Sequence, residues 1–239
     1  NDGSASIKAA EQLGNLRARL ALEVVQRAHK QDGGASRAQL EQARSEIKAA
    51  LATLEGLTQL QPSIERQNLC GSAWKRLALV EAIAKRPGDE RTAISNMKAA
   101  YARAEALARA TNCAALFYPA LNRMAAELIV DAGKPGWTKF DSATLDDVRE
   151  SLTLRARDDP DFWSFVGIIE LRAYQAMAEH RLAAARHGIE LELDELFTRV
   201  SAASMWSSVL DQASFELTKY AARAPGAEGR AAKELLTRL

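Results

Sequence analysis

The side chains best equipped for chemistry are two cysteines, three histidines and a few clusters of carboxylates in a chain of 239 residues. His180 and His187 stand among Glu179, Glu190, Glu192 and Asp194, residue types that ligate zinc and other divalent ions. On a helix their spacing is two turns, roughly 10 Å, too far for both imidazoles to share one ion without a bend at Gly188. No His-Glu-x-x-His or Glu-x-x-His pair occurs, so the sequence predicts no metal and no cofactor. Cys70 and Cys113 would need a histidine close in space to act as nucleophiles, and neither sits in a Gly-framed strand-to-helix turn. Asp146-Asp147 and Asp158-Asp159-Asp161 have the types for acid-base work or for a hard cation. First-turn placement against the positive end of a helix dipole is the simpler expectation for them. No Gly-rich phosphate cradle is present. With no nucleophile, base and orienter to name together, the expectation is a chain that is not an enzyme.

Side chains suited to holding a partner are more plentiful. Asn68, Lys75, Asn122, Arg123 and Arg172 fall on the helices expected to open successive helix pairs, which in helical arrays usually line the concave surface. Asn offers both a donor and an acceptor, and Arg pairs bidentately with carboxylates, so this set suits a protein or peptide partner. A rival set, Arg66, Lys75, Arg76, Lys85, Arg86, Arg91 and Lys98 with Trp74 and Tyr101, would suit nucleic acid along residues 66–98. The isoelectric point near 8.0 and the place of both aromatics in a helix-pair core argue for the protein partner first.

Helices must position all of these residues. Leu13, Leu16, Leu20 and Val24 recur on one face and predict a helix over about 6–29, facing a second one that buries Leu40, Ala43, Ile47, Leu51 and Leu54. Ser36 with Gln39 reads as its capping box, so residues 1–60 form a long helical hairpin. A third helix after Pro62 carries Leu69, Trp74, Leu77 and Val80, and a fourth carries Ile94, Met97, Tyr101, Ala104 and Leu107. Pro119 makes the fifth helix either start near Tyr118 or kink there, and Gly133, Pro135 and Gly136 mark a loop holding Trp137 and Phe140. Thr144 with Asp147 predicts the cap of the sixth helix, and Asp159 with Pro160 that of the seventh. The seventh has two apolar faces, Phe162, Phe165, Val166 and Ile169 on one and Trp163, Leu171 and Tyr174 on the other, as a sandwiched helix requires. Leu193, Leu196, Phe197 and Val200 supply the eighth, with Gly188 as a possible break. Trp206, Val209, Ala213, Leu217 and Tyr220 supply the ninth, and a short tenth after Pro225 is expected to fray.

Helix pairs begin near Ser63, Cys113, Pro160 and Ser204, a spacing of about 44 to 50 residues that belongs to stacked helical repeats. Gly71 with Trp74, then Tyr101 with Ala104, fill the small-residue and aromatic positions by which this stretch resembles a degenerate tetratricopeptide repeat. The loop at 84–91 lengthens the unit beyond the usual repeat. Residues 65–78 and 118–128 also look like helical-repeat regions of bacterial multidomain proteins that carry caspase-like or kinase-like effector domains. That resemblance implies an all-α array of antiparallel helix pairs, a tetratricopeptide-like solenoid over 61–239 behind the leading hairpin, continuous and elongated. It further implies a scaffold or sensor region of a larger bacterial protein rather than the effector.

Composition agrees with a folded chain: 47% apolar, 26% charged, 13 Gly and 6 Pro. Charged residues interrupt every long apolar stretch, which excludes a spanning helix. The opening Asn1-Asp2-Gly3-Ser4 has neither Met nor a signal pattern and is expected to be a tag remnant or the start of an excised fragment. Cys70 and Cys113, far apart in apolar contexts, are expected as reduced core thiols in the cytoplasm. The net charge of +1 hides an asymmetry: 17 basic against 12 acidic residues in 1–110, and 6 against 13 in 141–195. Mixed solvated faces are the simpler expectation, with steering of a polarised partner or head-to-tail contact between copies as the alternatives, so the oligomeric state stays open.

Overall fold

The computed structural model describes residues 6–31, 34–111, 113–132, 134–137, 139–224 and 226–239. Residues 1–4, Asp32, Gly33, Gly133, Pro225 and the Cys113 side chain, all used in the sequence reading, lie outside the described residues. Among the described residues the chain is all-α, with ten α-helices, one short 3-10 turn at Cys113–Ala115 and no strand. The helices divide between two compact units, Asn1–Ala110 and Thr111–Leu239, and within each unit most pack against a sequence neighbour.

The first unit contains α1 (Ile7–His29), α2 (Arg37–Leu60), α3 (Ile64–Ile83) and most of α4 (Pro87–Thr111). Ser6 caps α1, the Ser36–Gln39 capping box starts α2 as expected, and Ser63 caps α3 by accepting from the Arg66 N–H. Pro87 opens α4, where a missing N–H costs nothing. The core takes Ala43, Ile47, Leu51 and Leu54 from α2, Leu77 and Val80 from α3, and Ile94, Met97, Tyr101 and Ala104 from α4.

The face that α1 buries differs from expectation. Leu13 is 66% exposed and Leu16, Leu20 and Val24 are also exposed, whereas Gly14, Ala18, Ala21, Leu22 and Val25 are buried. The hairpin explains why. A Cβ on Gly14 would lie 3.1 Å from Leu54, so the two axes approach closely where small residues allow it, and the leucines beside that seam turn outward. A similar close approach ties α3 to α4: a Cβ on Gly71 would lie 2.6 Å from the Tyr101 ring. Two of the four residues that carry the repeat resemblance, Gly71 and Tyr101, are therefore in contact.

The second unit contains α5 (Phe117–Val130), α6 (Ser142–Asp158), α7 (Phe162–Ala178), α8 (Leu182–Arg199), α9 (Ala203–Arg223) and α10 (Gly226–Arg238). Helix α7 is its hub, touching α5, α6, α8 and α9, which accounts for the burial of Val166 and Ile169 on one face and of Leu171 and Tyr174 on another. Its Gly167 meets Leu152 and Leu121 at 2.6 and 3.2 Å from a would-be Cβ. Pro119 starts α5 within its first turn and does not kink it. Phe140 is buried edge-on to Trp137, whose Nε1 donates to Glu127 at 2.7 Å, so the loop is tucked in.

Several expected helix ends move. Asp141, not Thr144, caps α6, and Asp161, not Asp159, caps α7 in a capping box with Ser164. The residue before Pro160 is held out of the helical region, so Asp159 ends α6 instead. Of the clustered carboxylates only Asp161 does helix-start work: Asp146 and Asp147 lie beyond the first turn of α6, and Asp158 is its last residue. Gly188 sits inside an unbroken α8, and α10 is packed through Gly229, Ala231, Ala232 and Leu235 rather than frayed. Two long-range caps hold the unit together. Glu228 accepts from the Leu182 and Ala183 N–H groups at 2.9 Å each, and Arg223 donates to the Leu128 and Ile129 carbonyls that end α5.

Candidate partner-binding surface

Helix α3 presents the first candidate group because its flanks are already tied down. Trp74 Nε1 donates to Glu55 on α2 at 3.1 Å, and Gln67 accepts from Arg103 on α4 at 3.1 Å. Asn68 and Lys75 lie two turns apart on the same helix and are half-buried. The Asn68 Oδ1 atom is out of contact with solvent and has no hydrogen-bond partner. A buried acceptor in that condition carries a desolvation cost, which a hydrogen bond would relieve if the side chain turned outward.

In the second unit Asn122 Nδ2 donates to the Tyr118 carbonyl at 2.9 Å, and Arg123 pairs with Glu127 at 2.5 Å. Arg172 pairs with Glu192 across α7 and α8, leaving Glu192 Oε2 buried and without a hydrogen bond. Asn68 and Lys75 thus share one helix of one unit, while Asn122, Arg123 and Arg172 belong to the other.

The basic residues of 66–98 do not form a uniform stripe. Arg66 is buried with Glu11 at 2.6 Å and also donates to the Gln61 carbonyl. Arg86 pairs with Glu41 and Glu81, and Arg76 donates to Asn15 at 3.1 Å. Lys85 has φ +56° and Arg86 N–H reaches back to the Glu81 carbonyl, so Lys85 is the left-handed residue that ends α3. Arg91 is exposed and Lys98 half-buried.

Of the residues weighed for catalysis or metal binding, His180 and Cys70 are accounted for by the fold. His180, at φ +52°, repeats at the end of α7 what Lys85 does for α3, with Arg181 N–H bonded to the Ala176 carbonyl. His187 is largely solvated, its Nδ1 4.0 Å from Glu190. Among the described residues no three of His, Cys, Asp and Glu converge as a metal set would. Cys70 is buried, which pushes its thiol pKa up, and the nearby Thr58 hydroxyl only partly counters that. Burial, reinforced by Glu216 at 2.6 Å, likewise raises the Tyr174 hydroxyl well above its usual range.

Sequence reasoning missed one cluster altogether. Trp163, Phe162, Trp206 and Phe197, from three helices, form a continuous row of rings. Periodicity assigned Phe197 and Trp163 to the core, yet they are 57% and 41% exposed, and Phe165 is exposed as well. Nothing in the spacing separates an apolar residue that meets a neighbour from one that does not.

The family described as Tetratricopeptide Repeats-Sensor matches residues 5–128, just over half of the chain and the whole span from α1 to near the end of α5. No curated protein and no solved structure matches this chain.

Proposed function

We propose that this chain, which belongs to the Tetratricopeptide Repeats-Sensor family, is a non-catalytic region that binds a protein or peptide partner as the scaffold or sensor part of a larger bacterial, cytoplasmic protein. In this reading residues 1–60 lead a repeat region over 61–239. The observation that supports it most is the orphaned Asn68 Oδ1 on α3, two turns from Lys75 and inside the family match. A partner's backbone N–H would satisfy that oxygen once the Asn68 amide turns outward, and Lys75, with Arg123 and Arg172 released from Glu127 and Glu192, would engage carboxylates. Nucleic acid along 66–98 is the weaker alternative, because Arg66 is buried against Glu11 and the isoelectric point is only near 8.0.

Calorimetry against a copurified partner tests the reading. Lys75→Glu and Arg123→Glu should each weaken binding by more than about 1 kcal/mol. Arg19→Glu on the hairpin should be close to neutral, since Arg19 is well exposed. Arg44 is unsuitable as that control, because it pairs at 2.7 Å with Glu81, a carboxylate only 1% exposed. Loss of binding on Arg19→Glu with no loss at Lys75 would instead make the hairpin the working surface. The non-catalytic part stands if Cys70→Ser, Cys113→Ser and His180→Gly leave cellular activity intact, and falls if any of them abolishes turnover at unchanged melting temperature.

A further inference from the structure

We propose that the aromatic row at the ends of α7, α8 and α9 is a docking site for a basic, arginine-bearing peptide segment of a protein partner. The inference rests on the partner-binding reading above but uses a different surface, outside the matched residues 5–128.

The row has anchored members and presented ones. Ring centroids are 5.1 Å apart for Trp163 and Phe162, 5.3 Å for Phe162 and Trp206, and 5.4 Å for Trp206 and Phe197. Phe162 is buried, and Trp206 is fixed by its Nε1 donating to the Val200 carbonyl at 2.6 Å. Trp163 and Phe197 flank this fixed middle and are exposed to solvent. Neighbouring rings are inclined at 57° to 75°, so ring faces and edges alternate along the row. Large rings held rigid at a surface provide contact area at little cost in side-chain entropy, which is why Trp and Tyr dominate binding hot spots.

Charge selects the occupant. Asp161 caps α7 beside Phe162, Asp158 and Asp159 come just before it, and Glu195 lies two residues before Phe197. Against these stand Arg155, Arg157 and Arg199, each already paired with one or two of those carboxylates. The four carboxylates outnumber the three guanidinium groups by one, and the sequence 141–195, which holds most of them, carries 6 basic and 13 acidic residues. The local excess of negative charge disfavours a phosphate backbone, whereas a cation is attracted both by the carboxylates and by the negative ring faces. Arg suits the row better than Lys, because a planar guanidinium stacks on a ring while still pairing with a carboxylate. The resident ion pairs are surface pairs and exchange at little cost.

The test uses the full chain and a fluorescein-labelled peptide of alternating Arg and Gly, followed by anisotropy at near-physiological salt. The comparators are the Lys-for-Arg peptide, the Glu-for-Arg peptide and a short oligothymidine. The Arg peptide should bind tightest, and Trp163→Ala and Phe197→Ala should each weaken it at least about tenfold with helical content unchanged by circular dichroism. Lys75→Glu should leave this affinity as it is. Equal binding by the wild type and both aromatic variants would overturn the inference, since attraction would then be acidic charge alone. Tighter binding of oligothymidine than of the Arg peptide would overturn it as well. In either case a partner lost on Lys75→Glu would leave the reading of α3 intact, so the two failures are distinguishable.

Discussion

Gly71→Ala isolates the contact on which the repeat geometry depends. The new Cβ would lie 2.6, 2.7 and 2.8 Å from Cε2, Cζ and Cδ2 of Tyr101, well inside van der Waals contact, and Tyr101 is only 1% exposed and has no room to retreat. Overpacking of this kind costs about 1–3 kcal/mol. Against it, Ala is the better helix former by roughly 0.5–1 kcal/mol. The net expectation is a loss of about 1–2 kcal/mol. Gly56→Ala in α2 and Gly188→Ala in α8 supply the contrast, because nothing lies within 4 Å of a Cβ at either position. There only the propensity gain remains, so both should stabilise by about 0.5–1 kcal/mol. Urea unfolding followed by circular dichroism reads the sign directly. A Tyr101→Ala background, itself costing about 3–5 kcal/mol, should remove the penalty of Gly71→Ala, because the ring it strikes is gone. Gly71→Ala as stable as Gly56→Ala, or an unchanged penalty in the Tyr101→Ala background, would refute the reasoning.

Arg66→Ala should cost about 3 kcal/mol in the same assay, because it strands Glu11 in the interior with only Lys8 at 3.9 Å, and a loss under about 1 kcal/mol would mean the carboxylate finds water. Glu228→Gln tests the long-range cap of α8 through pH. Burial acts to raise the Glu228 pKa, but the Ala183 N–H, the Tyr220 hydroxyl and the Leu182 N–H outweigh it and hold the carboxyl below its ordinary value. A carboxyl lowered in the folded state contributes stability above its unfolded pKa and loses it as pH falls through the folded one. The variant should therefore melt earlier than the wild type at neutral pH, by about 1 kcal/mol in stability, and the gap should narrow as pH falls below the ordinary carboxylate range. On α1, Leu20→Gln should change stability by less than about 0.5 kcal/mol while Ala18→Leu costs about 1–3 kcal/mol, the reverse of what hydrophobicity alone would rank.

That reversal on α1 marks where the sequence stops being legible. Helix existence follows from any apolar recurrence at three and four residues, so all ten helices and the hairpin were readable. Which face a helix buries follows from how closely its neighbour can approach, and that depends on the smallest residues rather than the largest. Gly14, Gly71 and Gly167 each stand where a side chain from another helix fills the space of a missing Cβ: Leu54, Tyr101 and Leu152. None of these contacts was readable from spacing, since the motif sets Gly71 beside Trp74 and not beside the Tyr101 ring that it meets. Gly56 and Gly188 have the same residue type inside helices and meet nothing, so glycine alone does not announce a contact. Helix ends show a second limit: Lys85 and His180 adopt the left-handed turn usually given to glycine, and because neither is glycine the sequence does not announce the turn. The candidate surface was legible only as residue types. That Asn68 has an unpartnered buried oxygen while Arg66, two positions earlier, is consumed by Glu11 depends on residues 55 positions away, a partnership no local pattern encodes. A functional reading of such helical pairs gains most from the polar atoms the packing leaves unsatisfied and the rings it leaves uncovered, since the remaining side chains serve to bring helices together.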